Sequence, residues 1–168
     1  MKFLKSRKSL KKLSILALAL LPLGYATAAS AEPVVSSPVG GFNQPIGIIY
    51  LNNQIIVGNW GNGTLQTIDP ATGNVGDQVS PIGGSLLGPE QMAQAPNGNL
   101  WVTNQQGAAV TELHPQSDGT FTVVSTLNTS LGPDGITFDV QGNMFVSNQV
   151  NHNVEEFSLV NVRMHFKG

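Results

Sequence analysis

The sequence contains no cysteine, which excludes disulfides, thiolate metal ligands and thiol catalysis. It also has no lysine or arginine between residues 32 and 162, whereas all ten acidic residues lie in that part of the chain. A surface of this sign repels phosphate backbones and anionic lipids, which argues against binding to nucleic acids or membrane surfaces. Cations, neutral small molecules or another protein are therefore the expected partners.

The first 31 residues have the composition of a secretory signal peptide, which must be set aside before the fold is considered. Six of the eight basic residues come first, an apolar stretch covers residues 13–26, and Ala-Ser-Ala at 29–31 offers a cleavage site. Pro22 interrupts the apolar stretch, which is shorter than the roughly 20 residues of a spanning helix, so cleavage is favoured over an uncleaved anchor. We expect a secreted or periplasmic bacterial protein whose mature chain, residues 32–168, has two basic and ten acidic residues.

A repeat of about 44 residues runs through the mature chain. The tetrapeptide PIGI at 45–48 recurs as PEQM at 89–92 and as PDGI at 133–136. The tripeptide VGN at 57–59 recurs as VTN at 102–104 and as VSN at 146–148. A fixed period of this length is typical of solenoids and propellers, which bury their apolar surfaces by stacking one repeat on the next.

Each repeat contains short β-branched or aromatic runs bounded by Gly, Pro and Asn, which predicts strands rather than helices. The first three strands are predicted at 47–51, 55–59 and 64–68, then at 92–95, 100–104 and 109–113, and then at 136–140, 144–148 and 153–157. A fourth strand is clear at 121–127 and weaker at 75–79. The sequence therefore predicts an all-β fold, a β-propeller of four-stranded blades with about three blades present, near 44–87, 88–131 and 132–168.

Three blades form an open arc whose two end faces are apolar, so something is expected to cover them. VVSS at 34–37 matches VVST at 123–126, which predicts an orphan outer strand near 33–37. Either the chain is a truncated part of a longer protein, or a homodimer closes the propeller as three blades plus three. The third repeat lacks the Pro and Gly turn of the others and ends with Arg163 and Lys167, which favours truncation; a divergent last strand is the alternative.

GPDGI at 132–136, followed by GNMFVSN at 142–148 and matched by GNLWVTN at 98–104, resembles the NHL-repeat propellers. That group includes regucalcin- and gluconolactonase-like lactonases and virginiamycin B lyase-like proteins. The resemblance covers nearly all of the mature chain and implies the fold, whereas many unrelated activities use this repeat. The leading hypothesis is a binding or scaffold module, and the alternative is a metal-dependent, lactonase-like hydrolase or a lyase that uses the propeller rim.

Five side chains are candidate metal ligands at one edge of the predicted blades. Because the first two strands of a blade are antiparallel neighbours, the start of one lies beside the end of the other. The candidates are Asn59, Glu90, Asn104, Asp134 and Asn148. Carboxylate and amide oxygens suit Ca²⁺, and the resemblance implies a metal-holding role for Asp134 and, by repeat, for Glu90. The alternative is that the asparagines only cap strand ends.

Two tryptophans and two histidines complete the candidates. Trp60 follows Asn59 on the predicted rim and could stack against a sugar or an aromatic ligand, whereas Trp101 is expected in the core. His114 and His152 are interpreted as turn and loop residues rather than ligands. No set of Ser, His and Asp can be nominated, so no catalytic residue is assigned.

Overall fold

The computed structural model describes residues 38–158, which form three antiparallel sheets. The first sheet contains β1 (Pro45–Leu51), β2 (Gln54–Asn59) and β3 (Thr64–Ile68). The second contains β4 (Pro89–Gln94), β5 (Leu100–Asn104), β6 (Ala109–Pro115) and β7 (Phe121–Asn128), and the third contains β8 (Pro133–Phe138), β9 (Asn143–Asn148) and β10 (Asn153–Ser158). Each repeat thus forms one up-and-down sheet, and the predicted fold class, a partial β-propeller, is confirmed.

Several sequence-based predictions lie outside the described residues. These are the signal peptide at 1–31, the orphan strand near 33–37 and the last part of the third blade. Within residues 38–158, no helix is long and apolar enough to cross a membrane, and a short 3-10 turn, Gln105–Gly107, follows β5.

The structure corrects two details of the predicted strands. Each of β1, β4 and β8 begins two or three residues earlier than predicted, because the Pro that starts it already pairs with the Asn that ends the next strand. Only the second sheet has four strands in the described range. In the first, the predicted strand at 75–79 contributes just two isolated bridges, since Gly76 and Asp77 disfavour extended pairing.

The turn between the first two strands of a blade explains a one-residue difference between repeats: PIGI and VGN begin 12 residues apart, whereas the matching segments of the other two repeats begin 13 apart. Asn52 and Asn53 both adopt positive φ, 51° and 61°, which is the geometry of a tight two-residue hairpin turn. The matching turns in the other sheets are longer and place Gly98 and Gly142 at φ 86° and 87°. Asn and Gly tolerate this region of backbone space best.

The sheets stack face to face, with an apolar core on each side of the second sheet. Successive side chains of a strand point to opposite faces. Leu100 and Val102 therefore pack in the core shared with the first sheet, while Trp101 packs in the core shared with the third. Trp101 is 2% exposed and meets Phe138 edge to face, with ring centroids 6.4 Å apart, as expected for a core residue.

The first strands of the three sheets, β1, β4 and β8, are neighbours and are called the inner strands below. A Cβ on Gly47 would collide with the carbonyl oxygen of Glu90, so glycine is what allows β1 to lie so close to β4. Between the second and third sheets, the buried Thr103 hydroxyl donates to the carbonyl oxygen of Asp134 at 2.8 Å. These contacts fix the spacing of the inner strands.

Candidate functional site

Each inner strand is irregular at the same place, just after its first residue. The pairing with the next strand shifts between Pro45 and Ile48, between Pro89 and Met92, and between Pro133 and Ile136. Bulges of this kind bend a strand, redirect its side chains and are common beside functional sites. The residues that follow the prolines in the three bulges are Ile46, Glu90 and Asp134.

The carboxyl groups of Glu90 and Asp134 face each other across two of these bulges. Burial raises the pKa of Glu90 to about 7, and the neighbouring carboxyl group of Asp134 acts in the same direction. Glu90 Oε2 is buried and has no donor among residues 38–158. A proton shared between the two carboxyl groups would supply the missing hydrogen bond, so near neutral pH the pair is poised to hold either a proton or a cation.

Thr103 sets the position of both bulges. Its hydroxyl accepts from the backbone N–H of Gln91 at 2.9 Å and donates to the carbonyl of Asp134 at 2.8 Å. The Thr103 hydroxyl therefore links the backbone of Gln91, the residue after Glu90, to the backbone of Asp134. In the third sheet the Ser147 hydroxyl accepts from Gly135 N–H at 2.9 Å in the same way, whereas the first sheet has Gly58 at this position. A hydroxyl residue precedes the repeat Asn in two of the three repeats, and this pattern could have indicated the role. The sequence analysis did not identify it.

The three candidate asparagines occupy equivalent, buried positions at the ends of β2, β5 and β9. Each side-chain N–H donates to the residue seven positions later, namely Asn59 to Gln66 at 3.3 Å, Asn104 to Thr111 at 2.7 Å and Asn148 to Glu155 at 3.2 Å. This bond repeats in every sheet, so it belongs to the architecture of the repeat.

The amide oxygens of these asparagines differ from sheet to sheet. Asn59 Oδ1 accepts from the backbone N–H of Asn43 at 2.9 Å, and Asn104 Oδ1 accepts from that of Leu87 at 3.3 Å. Both oxygens thus hold the loop that enters the inner strand. Asn148 Oδ1 is buried and has no partner within the described chain, so it alone of the three is an unused acceptor. The metal site of five residues stays a prediction, with Glu90 and Asp134 brought together and two of the three amides engaged elsewhere.

Trp60 begins a row of side chains that crosses all three sheets. Trp60, Gln105 and Gln149 each follow one of the repeat asparagines. Trp60 Nε1 donates to Gln105 Oε1 at 3.1 Å, and Gln105 Nε2 donates to Gln149 Oε1 at 3.5 Å. A Cβ on Gly88, which has φ 66°, would lie 2.8 Å from Trp60 Nε1, so a glycine leaves room for the indole. These three residues are called the rim row.

The rim row and the carboxyl pair line two open clefts. One, of about 460 Å³, is lined by Gln44, Ile46, Trp60, Glu90, Gln105 and Gln149. The other, of about 450 Å³, is lined by Asp134, Asn148, His152 and their neighbours, and shares Gln149 with the first. A polar ligand in the first cleft would meet an indole, amide groups and Glu90, and one in the second would meet Asp134.

The two histidines take different places. His114 lies within β6 rather than in the predicted turn, because β6 pairs with β7 as far as Pro115, and its Nδ1 is 2.9 Å from Asn99 Oδ1. His152 lies in the predicted loop at φ 54°. Among residues 38–158, no three His, Cys, Asp or Glu side chains lie close enough together to hold one metal ion.

No protein-family model and no curated protein sequence matches the chain. Solved structures do match it. A candidate 6-phosphogluconolactonase from Bacteroides fragilis is 19% identical with a TM-score of 0.58, over 70% of this chain and 35% of its own. A protein of unknown function from Bacteroides caccae is 15% identical with a TM-score of 0.51, over 65% and 43%. Virginiamycin B lyase from Staphylococcus aureus is 14% identical with a TM-score of 0.47, over 68% of this chain and 41% of its own.

The structural neighbours thus include the lactonase-like and lyase types of β-propeller that the repeat resembles. At these identities the likeness shows the fold alone. The chain spans between a third and a half of the length of the structures it matches.

Proposed function

We propose that this chain is an exported β-propeller binding module that holds a divalent cation, with Ca²⁺ the first candidate, between Glu90 and Asp134. The supporting observation is the carboxyl pair on equivalent bulges of two adjacent inner strands, with one buried oxygen that lacks a donor in the described range. Two facing carboxylates repel each other unless a proton or a cation lies between them. Ca²⁺ accepts six to eight oxygen ligands, so Asn148 Oδ1 and water would complete the set.

Export suits a weak site of this kind. Extracellular modules bind Ca²⁺ with dissociation constants of about 0.1 to 1 mM, and few protein ligands are enough for that affinity. Because Glu90 has a pKa of about 7, the cation must displace a proton at neutral pH. Binding should therefore tighten as the pH rises from 6 to 8.

Thermal melting in a calcium titration tests this function. At ten times the dissociation constant, a site that binds only the folded state adds about 1.4 kcal/mol and should raise Tm by roughly 4–8 °C. Glu90→Gln and Asp134→Asn should each abolish the rise in Tm. The control is Asp77→Asn, which changes an exposed acid outside the inner strands and should keep the rise. An unchanged Tm of the wild-type chain at several millimolar Ca²⁺ would contradict the proposal.

The second candidate function is hydrolysis or elimination at the same pair. A carboxyl group of pKa about 7 beside a second carboxyl group is an arrangement in which one can donate and the other accept a proton. One structural neighbour is named for a phosphorylated lactone. Residues 38–158 contain no lysine or arginine to receive a phosphate group, so a neutral lactone or ester is the better substrate class here.

Acid release from neutral sugar lactones, followed in a pH-stat, tests the second function. Activity should rise above the spontaneous rate with wild-type chain and fall to that rate with Glu90→Gln, while Asp77→Asn behaves as wild type. If wild-type chain gives no acceleration but shows the calcium shift, the binding function stands and the hydrolytic one does not.

A further inference from the structure

The two faces of each sheet have different roles in stacking. The front face is defined by the residues equivalent to Ile56 and Leu65, which are Trp101 and Val110 in the second sheet and Phe145 and Val154 in the third. The back face is defined by four residues per sheet: Ile48, Ile55, Val57 and Ile68, then Met92, Leu100, Val102 and Leu113, then Ile136, Met144, Val146 and Phe157. In both cores, the front face of one sheet packs on the back face of the next.

The front face of the third sheet and part of the back face of the first have no such partner within residues 38–158; on the latter, Ile48 is exposed although Val57 is 5% exposed. Val154 is 66% exposed, whereas its equivalents Leu65 and Val110 are fully buried. Ile48 is 63% exposed, whereas its equivalent Met92 is 8% exposed. A cleft of about 340 Å³ lies on the third sheet's front face, with Phe145 and Val154 in its lining.

We infer that a second copy of this chain covers both faces. The front face of each third sheet packs on the back face of the other copy's first sheet, and a two-fold axis along the centre of the propeller relates the copies. The contact continues the two sheet-to-sheet interfaces already present, since two apolar front-face side chains again meet four apolar back-face side chains. Six sheets result, within the four to eight blades of known propellers.

The polar contacts of the inner strands extend across the same junction. Thr103 donates its hydroxyl proton to the carbonyl of Asp134 in the next sheet, and Ser147 occupies the equivalent position in the third sheet. In the closed ring, the Ser147 hydroxyl meets the carbonyl of Ile46 from the second copy. Asp134 then faces the first inner strand of that copy, so each copy contributes to the rim of the other.

Ring closure can be tested separately from the cation proposal, because no residue of the two end faces belongs to the carboxyl pair. A calcium site without dimerisation, or a dimer without a calcium site, separates the two. Charged substitutions on the end faces therefore test closure alone.

Sedimentation of the full chain at about 10 μM is the experiment. Wild-type chain should sediment at twice the mass of one chain. Val154→Glu on the front face and Ile48→Glu on the back face should each give a monomer, while Val124→Glu, at a valine 53% exposed on β7, should stay dimeric. Because these side chains are more than half exposed in a single copy, the circular dichroism spectrum should not change.

Mixing the two monomeric variants gives the sharper test. A pair made of one Val154→Glu and one Ile48→Glu chain keeps one intact junction, so the mixture should regain part of the dimer that neither variant forms alone. A dimer abolished by Val154→Glu but untouched by Ile48→Glu would indicate front-to-front pairing and would overturn the inference. A wild-type monomer would overturn it as well, and would leave further sheets of a longer chain as the cover.

Discussion

The second and third sheets are built on the same repeat but differ in their surroundings. In the second, Val110 is fully buried and Asn104 Oδ1 is bonded to the entering loop; in the third, Val154 is 66% exposed and Asn148 Oδ1 has no donor in the described range. The side chains are of the same kind at each position. The burial of a blade residue is therefore decided by the next sheet, as expected where repeats contact only their neighbours.

The largest expected difference between the two sheets lies in their front-face aromatics. Trp101→Ala should destabilise the chain by about 3–5 kcal/mol, because it empties a site that is 2% exposed. Phe145→Ala, at the equivalent partly exposed position, should cost less than about 1.5 kcal/mol when both are measured by urea unfolding in the monomeric Ile48→Glu background. Equal costs would mean that the third sheet is covered even in a single copy.

The hydroxyl groups beside the carboxyl pair give the next largest effect. Thr103→Val keeps the shape of the side chain but leaves Gln91 N–H and the Asp134 carbonyl unpaired, which should cost about 1–3 kcal/mol. In the monomeric Ile48→Glu background, Ser147→Ala removes only the bond to Gly135 N–H and should cost about half as much or less. Urea unfolding measures both, and the calcium response of Thr103→Val should weaken since the spacing of the acids changes.

Much of this difference between the sheets could not be predicted from the sequence. The repeat predicted the stack of three sheets. It also predicted that Glu90 and Asp134 lie at the same edge of neighbouring blades, since they occupy the same position in strands of the same direction. It did not predict the direction of the asparagine amides, because the partner of Asn104 Oδ1 is a loop N–H whose position depends on tertiary packing. Nor did it predict the hydrogen-bonded rim row, which joins residues 44 to 45 positions apart.

Glu90 in the second sheet and Glu155 in the third should change the free energy of unfolding with pH in opposite directions. The folded chain keeps the Glu90 proton up to about pH 7, whereas the unfolded chain releases it near 4.5, so the free energy of unfolding should fall between these pH values and then level off. Burial opposes ionisation of Glu155, but hydrogen bonds from Ser130 and Asn148 outweigh it and hold the pKa of that carboxyl below its usual value. Glu155 thus stabilises the fold above pH 4.5, and this contribution is lost on acidification.

Unfolding curves recorded from about pH 2 to about pH 8 distinguish the contributions of the two glutamates. Glu90→Gln should remove the fall in stability between pH 4.5 and 7. Glu155→Gln should lower stability at neutral pH and reduce the loss of stability that the wild-type chain shows below pH 4.5. Both changes are expected to be small, because neither carboxyl group is fully removed from water. The same pH profile in wild type and Glu90→Gln would argue against a shared proton.

The carboxyl pair is the centre of both proposed functions, and the side-chain carboxyl carbons report on it directly by NMR. One glutamate signal should titrate near pH 7, vanish in Glu90→Gln and shift towards, without reaching, an ordinary pKa in Asp134→Asn, since burial is the larger cause of the shift. If every glutamate titrates near pH 4.5, Glu90 and Asp134 do not share a proton and the account of the site is wrong.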